Sequence, residues 1–285
     1  LKMPVNPDVE RSEFKYFFAI SPESRALVRL IRQLAENNIS RLYILGAPGA
    51  GKSSLAYYYY LCRARGRYMS VNLTSEATDD KAAMKSLLCG HVTGAFGDSG
   101  GREGALSMAG EGVCFLDESH GVSGVVMQVL MEVLDTGQFL PYGGTNKRKL
   151  ECAVLFASNR SWDHLRNLIN LDEHARLGAH IVGVPDLKAR EEDLIAVLSA
   201  TLAKFKRGCT TWHAPEGLTD RAWEAIRRCP WNGNLRTLIR VIETAAVECA
   251  KVSDRPGLIT VEQVRRGMDL WEPEDHHSLR LYSSA

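Results

Sequence analysis

The chain has 285 residues, of which 45% are hydrophobic and 24% charged, and its formal net charge is +1. These values are ordinary for a globular protein, and the balanced charge gives no general reason to expect a nucleic-acid or membrane surface. A chain of this length can bury a sizeable core and form one large domain, or a large domain with a small one.

The seven cysteines are odd in number, form no C-x-x-C pair and stand partly in apolar runs such as GVCFLD. We therefore expect buried thiols in a reducing compartment, not disulfides or a zinc site. The longest apolar run, GVVMQVLMEVL, is too short and too interrupted to cross a bilayer, and no signal peptide is recognisable. These features predict a soluble, cytoplasmic protein with no membrane partner.

The first two thirds of the chain alternate between helical and strand patterns, which favours a parallel sheet covered by helices on both faces. Helical spacing occurs in SPESRALVRLIRQLAENN, with Ser21 or Glu23 near its start, from Lys52 through SSLAYYYYLCRA, and in VVMQVLMEVLDTG. Five short apolar runs predict buried strands: 41–46, 67–72, 112–117, 151–159 and 180–185.

Beyond about residue 190 only helical patterns are found, in EEDLIAVLSATLAKFKRG, TDRAWEAIRR, NLRTLIRVIETAAVECAK and TVEQVRRGMDLW. The sequence predicts an extended lead-in at 1–20, an α/β nucleotide-binding domain at 21–188, a helical lid domain at 189–272 and a poorly ordered tail at 273–285. The run from Gly90 to Gly112 holds 8 glycines in 23 residues, too many for a regular helix or strand.

The stretch GAPGAGKS matches G-x-x-x-x-G-K-[ST] in full and lies between a predicted strand and a predicted helix. Such a loop turns its backbone N–H groups toward phosphates at a helix N-terminus, whose partial positive charge favours anions. Lys52 is expected to reach the outer phosphates of ATP, and the Ser53 hydroxyl to hold Mg²⁺. The predicted ATP-binding residues are Gly46, Ala47, Pro48, Gly49, Ala50, Gly51, Lys52, Ser53 and Ser54.

Polar side chains follow two later strands. Asp117 and Glu118 follow the apolar run in GVCFLDES. Asp117 is suited to hold Mg²⁺, and Glu118 is suited to act as the general base on an attacking water. Asn159 ends AVLFASN and is suited to reach the same water and the γ-phosphate. His120 is more simply explained as a surface residue.

Further stretches follow in a fixed order: CGHVTGAFGDSGG, QFLPYGG, FASNR, RLGAHIVGVPDLKAREED and PWNGNLRTL. With the motifs above, they resemble the AAA+ ATPases, and in particular the central domain of the sigma-54-dependent transcription activators, the bacterial enhancer-binding proteins. In that family the corresponding patterns are the GHxxGAFTGA loop, a glycine-glycine hairpin, ATNR, RLNVVTIxLPPLRERxED and YPWPGNVREL. The resemblance covers most of the chain.

The resemblance implies an α/β P-loop fold with a five-stranded parallel sheet and a smaller helical lid, assembled into an ATP-driven ring that is usually a hexamer. It also implies roles for single residues. Asn159 matches the first sensor, Asn72 the asparagine that restrains the catalytic glutamate, and Arg236 the second sensor, a lid arginine over the phosphates. A guanidinium beside a phosphate also suits bidentate pairing.

In the family, the aromatic residue of the GAFTGA loop grips sigma-54 in the ATP-bound state. This chain keeps Gly94, Ala95 and Phe96 but continues with Gly97, Asp98 and Ser99, so the threonine is lost and an acid is gained. The contact surface of the loop is therefore changed. A loop that only fills space and a loop adapted to another client both remain open.

A second departure concerns the arginines that the family's FREDLYYRL directs to the neighbouring subunit's ATP. The aligned stretch INLDEHARL has Asn170 at the first position and keeps only Arg176 at the second. Because an arginine finger contributes about three to five orders of magnitude in rate, we expect hydrolysis to be weak or to depend on Arg176 alone. Asn232 replaces a family proline in a turn.

Three functions stay open. The first is a sigma-54 activator module that couples the nucleotide state to ring assembly and loop movement and contacts sigma-54 RNA polymerase. The second is a diverged ATP-binding regulatory module that does not remodel sigma-54. The third is an ATPase acting on another protein or nucleic-acid client; here DNA contact is expected only through domains absent from this chain, or weakly through the basic hairpin NKRK at 146–149.

Overall fold

The computed structural model describes residues 19–76, 78–97, 100–119, 124–161, 177–252 and 255–272. These residues form two compact units. One contains residues 26–47 and 52–184, and the other contains residues 19–25, 48–51 and 185–272. We call them the sheet unit and the helical unit.

The sheet unit is built on five parallel strands: β1 (Arg41–Leu45), β2 (Tyr68–Asn72), β5 (Val113–Asp117), β8 (Ala153–Ser158) and β9 (His180–Gly183). Their order across the sheet is β2-β5-β8-β1-β9. All six residues of β8, the middle strand, are buried, as expected for a central strand of a parallel sheet that is covered by helices on both faces. The predicted five-stranded parallel sheet is confirmed.

The helices of this unit pack on the sheet through apolar side chains. The first begins at the predicted place, since the Ser21 hydroxyl accepts from the N–H of Ser24 and Pro22 occupies the first helical position. Ser21 and residues 22–25 belong to the helical unit and the rest of this helix to the sheet unit. The helices are α1 (Pro22–Glu36), α2 (Lys52–Arg63), α3 (Leu73–Glu76), α4 (Lys81–Cys89), α5 (Ala105–Ala109) and α6 (Gly124–Thr136).

The glycine-rich run contains regular structure, so the prediction of none was wrong. It holds the antiparallel pair β3 (Gly90–His91) and β4 (Arg102–Glu103), followed by α5. A Cβ atom on Gly104 would lie 2.2 Å from the backbone nitrogen of Gly90, so the glycine allows two backbone segments to touch. A second antiparallel pair joins β6 (Gln138–Phe139) to β7 (Arg148–Lys149).

The helical unit contains α7 (Glu192–Gly208), α8 (Asp220–Arg228), α9 (Asn234–Val252) and α10 (Val261–Trp271), with a 3₁₀ turn at Leu187–Ala189. These match the four predicted helices. α10 begins with a capping box between Thr260 and Gln263. The prediction missed one feature: β10 (Gly217–Leu218) pairs in parallel with β11 (Leu258–Ile259). Two-residue strands are too short to leave an alternating pattern in the sequence.

All seven cysteines are free. Cys89, Cys114, Cys152 and Cys249 are buried as expected, whereas Cys62, Cys209 and Cys229 are only half-buried. Burial raises the pKa of Cys152 to about 11. None of the helices in the described ranges combines the length and apolar character needed to span a membrane.

Candidate functional site

The turn from Gly46 to Lys52 connects the carboxyl end of β1 to the first residue of α2. Gly49 has φ +73° and Gly51 φ +106°, values that side-chain-bearing residues rarely adopt. The Lys52 ammonium donates to the carbonyls of Gly46 (2.7 Å) and Ala47 (3.1 Å). The lysine side chain is thus folded back onto the start of its own loop.

Residues 48–51 of this turn are held by hydrogen bonds within the helical unit. The N–H of Leu235 donates to the Gly49 carbonyl (3.1 Å), and the side-chain amide of Asn234 donates to the Pro48 carbonyl (3.2 Å). The guanidinium of Arg190 donates to the Ala50 carbonyl (2.6 Å). Arg190 is fully buried, and this burial lowers its pKa.

Asn234 and Arg190 therefore hold the backbone of the turn, a role that the sequence did not predict. Asn234 also accepts from the backbone N–H of Leu187 (2.6 Å), so one side chain joins two segments. Both residues lie inside the stretches that carry the family resemblance, which is the signal that could have singled them out. Arg236 approaches the same turn within this unit, since a Cβ atom on Gly49 would lie 3.1 Å from the Cβ of Arg236.

The carboxyl end of β5 brings two predicted residues together. Ser53 Oγ donates to Asp117 Oδ2 over 3.2 Å, while Asp117 Oδ1 accepts from the N–H of Glu118 (2.9 Å). Glu118 has φ +54°, a left-handed conformation that is uncommon outside glycine and found often at functional turns. A hydroxyl and a carboxylate this close are oxygen ligands of the kind that Mg²⁺ takes.

The turn after Glu118 is fixed by Ser119, another residue that sequence reasoning missed. Its hydroxyl donates to the Ala157 carbonyl (2.8 Å) and accepts from the Tyr43 hydroxyl (2.7 Å). Burial raises the pKa of Tyr43, so its hydroxyl keeps the proton that it donates. Three neighbouring strands, β5, β8 and β1, are thereby tied at the edge where Glu118 stands.

Asn159 follows β8 at the same edge of the sheet. Its Oδ1 is buried and has no hydrogen-bond partner among the described residues. A buried acceptor without a partner is costly, and functional sites are one place where this occurs. The structure thus leaves Asn159 with an acceptor suited to a water or ligand.

Asn72 ends β2 and is the register partner of Asp117. Its side-chain oxygen accepts from the N–H groups of Thr74 (3.0 Å) and Ser75 (3.2 Å), so it caps α3. This fixes the orientation of its amide beside the acidic strand end. The predicted restraint of Glu118 by Asn72 stays a prediction.

The Gly94–Gly97 loop lies between β3 and β4. The Phe96 ring stacks on Tyr142, with ring centres 5.0 Å apart, and meets the His91 ring edge-on at 5.1 Å, yet 42% of Phe96 is exposed. His91 Nε2 donates to the Gly100 carbonyl (2.9 Å), and its Nδ1 accepts from the Ser86 hydroxyl (2.7 Å). The loop therefore presents its aromatic residue from a fixed base.

Several predicted residues lie outside the described residues: Arg176, Asn170, Asp98, Ser99 and His120. In the NKRK hairpin, Arg148 donates to the Ser107 hydroxyl (3.0 Å) and lies 3.8 Å from Glu103.

A protein-family model described as the sigma-54 interaction domain matches residues 17–176. The alginate biosynthesis transcriptional regulatory protein AlgB of Pseudomonas aeruginosa is 30% identical over 234 residues, which are 80% of this chain and 51% of that protein. The nitric oxide reductase transcription regulator NorR1 of Cupriavidus necator is 29% identical over 266 residues, 90% of this chain and 51% of that protein. The chain thus spans about half the length of these relatives.

Among solved structures, NtrX from Brucella abortus in complex with ATP has a TM-score of 0.73 at 25% identity, covering 86% of this chain and 55% of that one. RuvB of Thermotoga maritima has a TM-score of 0.58 at 15% identity, covering 94% and 73%. The RuvB likeness concerns the fold alone. The predicted α/β P-loop fold is confirmed by these neighbours.

Proposed function

Because the chain belongs to the sigma-54 interaction domain family of transcription regulators, we propose that it is an AAA+ ATPase module that binds ATP together with Mg²⁺. The module hydrolyses ATP and couples the nucleotide state to ring assembly and to movement of the Gly94–Gly97 loop. Nucleotide binding is assigned to residues 21–188 and the lid role to residues 189–272. The ATP complex of NtrX, a protein of the same fold, supports this interpretation.

The observation that carries the proposal is the contact of 3.2 Å between Ser53 Oγ and Asp117 Oδ2 at the end of the P-loop. In P-loop NTPases, Mg²⁺ is held by the P-loop hydroxyl and by the acid at the end of a neighbouring strand. The loop from Gly46 to Ser54 supplies the phosphate cradle, and Lys52 supplies the charge at the outer phosphates. When bound, ATP provides the phosphoanhydride bond that water cleaves.

We assign the hydrolysis step to three residues at the carboxyl ends of neighbouring strands, β2, β5 and β8. Glu118 accepts the proton of the attacking water, since its carboxylate follows the metal-binding Asp117 on the same turn. Asn159 orients that water through its side-chain oxygen, which is buried without a partner among the described residues. Asn72 holds Glu118 back until the γ-phosphate is in place.

Two arginines complete the proposal. Arg236 pairs a phosphate from the helical unit, which is supported by its position beside Gly49 in that unit. Arg176 is assigned from the resemblance alone and serves the ATP of the neighbouring subunit in a ring. Asn170 occupies the position of the family's other arginine. Because asparagine is uncharged, it cannot stabilise the transition-state charge on that ATP, and we expect slower hydrolysis.

The experiment is to compare the wild-type chain with Glu118→Gln. Glutamine keeps the shape of the side chain but cannot take a proton, so we expect phosphate release to fall by about two orders of magnitude or more while the ATP dissociation constant changes less than about threefold. Glu36→Gln, on the exposed end of α1, is the matched control and should keep full turnover. Unchanged turnover in Glu118→Gln would show that the base is assigned wrongly.

The same Glu118→Gln protein, with ATP bound, tests the partner. We propose that Phe96 contacts sigma-54, because its phenyl group stacks on Tyr142 while 42% of the residue is exposed. Light scattering should report an ATP-dependent ring that retains sigma-54, and Phe96→Ala should release sigma-54 while the ring persists. Ile181→Ala, an exposed apolar residue on β9, is the control. A ring that never retains sigma-54 would favour the diverged module or another client.

A further inference from the structure

Glu272 directly follows α10, and it is buried although its side chain is a carboxylate. Burying an ionised carboxylate is costly unless hydrogen bonds compensate for the lost water. Here the backbone provides them: the N–H of Asn232 donates to Oε1 of Glu272, and the N–H of Gly233 donates to Oε2 (3.4 Å). The carboxylate thus joins the end of α10 to a turn that begins before Asn232, 40 residues earlier in the chain.

The turn from Trp231 to Asn234 contains two residues in an uncommon backbone conformation. Trp231 has φ +51° and Asn234 φ +53°, left-handed values that are unfavourable for residues with a Cβ atom. The indole N–H of Trp231 anchors the start of the turn by donating to the Ile226 carbonyl (2.9 Å). The two N–H groups that donate to Glu272 belong to the residues between Trp231 and Asn234. Glu272 therefore supports the turn at its middle.

The same turn lies against the phosphate-binding loop within the helical unit. A Cβ atom on Gly49 would lie 2.2 Å from the carbonyl oxygen of Gly233 and 3.1 Å from the Cβ of Arg236, so the two backbones are in direct contact. The N–H of Leu235, just after the turn, donates to the Gly49 carbonyl (3.1 Å). A displacement of the turn would therefore move residues 48–51 and Arg236 with it.

The contact with Glu272 depends on the residue at position 232. The family pattern YPWPGNVREL has proline where this chain has Asn232, and a proline has no N–H to donate. Glu272 itself lies outside the stretches that carry the family resemblance. The family pattern therefore does not account for this contact.

We propose that Glu272 is a positioning residue of the nucleotide site: its carboxylate fixes the turn at Asn232 and Gly233, and the turn fixes Gly49 and Arg236 for ATP. A turn that is ordered before ATP arrives loses less conformational entropy on binding, which raises the affinity. This inference rests on the proposed binding of ATP. Because Glu272 acts through the turn, we expect it to change the affinity for ATP and not the step at which water attacks.

The test is calorimetric titration of the full chain with Mg²⁺ and a non-hydrolysable ATP analogue. Glu272→Ala removes both acceptor oxygens, and we expect at least about a fivefold loss of affinity because binding must now order the turn. Asp269→Ala, which removes an exposed acid from the last turn of α10, is the matched control and should bind like wild type.

Turnover kinetics distinguish positioning from a general loss of stability. In Glu272→Ala the KM for ATP should rise at least about fivefold while kcat stays within about twofold of wild type. A protein that is only destabilised would lose kcat in proportion to its unfolded fraction and keep its KM, which would contradict the proposal.

Adding Asn232→Pro to Glu272→Ala tests whether the turn carries the effect. Proline fixes the backbone at position 232 and removes one of the two donors that Glu272→Ala leaves without an acceptor, so part of the lost affinity should return. Asn232→Ala keeps the N–H and is the matched control, which should restore nothing. Equal affinity with and without Asn232→Pro would show that Glu272 does not act through the turn and would overturn the proposal.

The remaining outcomes separate this inference from the proposed function. A wild-type chain that does not bind the analogue would refute ATP binding and the role of Glu272 together. A wild-type chain that binds it, with Glu272→Ala binding equally well, would refute the role of Glu272 alone. If circular dichroism shows that Glu272→Ala is unfolded, Glu272→Gln takes its place. Glutamine keeps the shape but has one acceptor oxygen for two donors, so the same loss and the same recovery with Asn232→Pro are expected.

Discussion

The backbone N–H of Asn232 donates to the carboxylate of Glu272, and the N–H of Gly233 donates to the same carboxylate (3.4 Å). The family pattern has proline at position 232, and proline has no N–H to give. With asparagine in place of proline, the turn loses a rigid residue but gains a backbone hydrogen bond to the buried carboxylate of Glu272. A substitution that looks minor in the sequence changes how the turn before α9 is held.

The buried thiol of Cys152 should make the stability of the folded chain depend on pH. Because burial raises its pKa to about 11 from an ordinary value near 9, the unfolded chain loses this thiol proton at a lower pH than the folded chain. Stability from this group is complete below pH 9 and is lost between pH 9 and about 11, with a slope of up to ~1.4 kcal/mol per pH unit.

Urea unfolding of wild type and Cys152→Ala at a series of pH values from about 8 to about 10.5 measures this slope. The wild-type free energy of unfolding should fall more steeply above the ordinary thiol pKa than that of Cys152→Ala. Below that pKa the difference between the two proteins should be constant, which serves as the internal control. Parallel curves over the whole range would contradict the prediction.

At the element scale, the loop between β3 and β4 depends on the hairpin formed by β6 and β7. The backbone of Tyr142 accepts from the N–H of Val92 (3.1 Å) and donates to the carbonyl of Gly90 (2.8 Å), while its ring stacks on Phe96. The two hairpins of the sheet unit therefore share one contact surface. If one hairpin shifts, either the other hairpin shifts with it or the stack of Phe96 on Tyr142 is broken.

Tyr142→Ala should remove the stack and keep the two backbone hydrogen bonds. Aromatic pairs contribute about 0.5–1.5 kcal/mol beyond their buried area, so we expect amide exchange in a peptide covering Gly94–Gly97 to become several-fold faster. Hydrogen exchange followed by mass spectrometry measures this. Tyr142→Phe keeps the ring and should exchange like wild type; equal rates in Tyr142→Ala would show that the stack does not hold the loop.

At the scale of the whole molecule, residues far apart in the chain meet at single polar side chains. Within the helical unit, Asp193 accepts from the backbone N–H groups of Ile20 and Ser21 (2.8 Å each) and from the Ser24 hydroxyl. Asn234 likewise connects Pro48 with Leu187. The joining of distant segments thus depends on a few buried polar groups as well as on apolar packing.

Asn234→Ala tests this connection. It removes the acceptor of the buried Leu187 N–H and places alanine at φ +53°, a conformation that asparagine tolerates better. We expect a loss of about 2–3 kcal/mol in the free energy of unfolding, since a buried donor left without a partner costs about 1–3 kcal/mol. Weaker ATP binding should accompany it, because Pro48 loses its anchor.

Urea unfolding and ATP titration measure the two effects. Asn232→Ala is the control: it keeps the backbone N–H that donates to Glu272 and should change stability by less than ~0.5 kcal/mol. An Asn234→Ala protein as stable as wild type would show that the bridge to Leu187 contributes nothing.

The amino-acid sequence is enough to predict the five parallel strands, the four helices of the helical unit and the P-loop. The strands and helices follow from the local spacing of apolar residues, and the P-loop follows from one contiguous motif. The sequence also placed Asp117, Glu118 and Asn159 at strand ends. The packed structure is needed to show how residues distant in sequence meet: the Ser119 link between three strands, the Asn234 bridge and the stack of Phe96 on Tyr142. Those contacts depend on the packing of separate segments, and one-dimensional periodicity carries no record of which segments pack together.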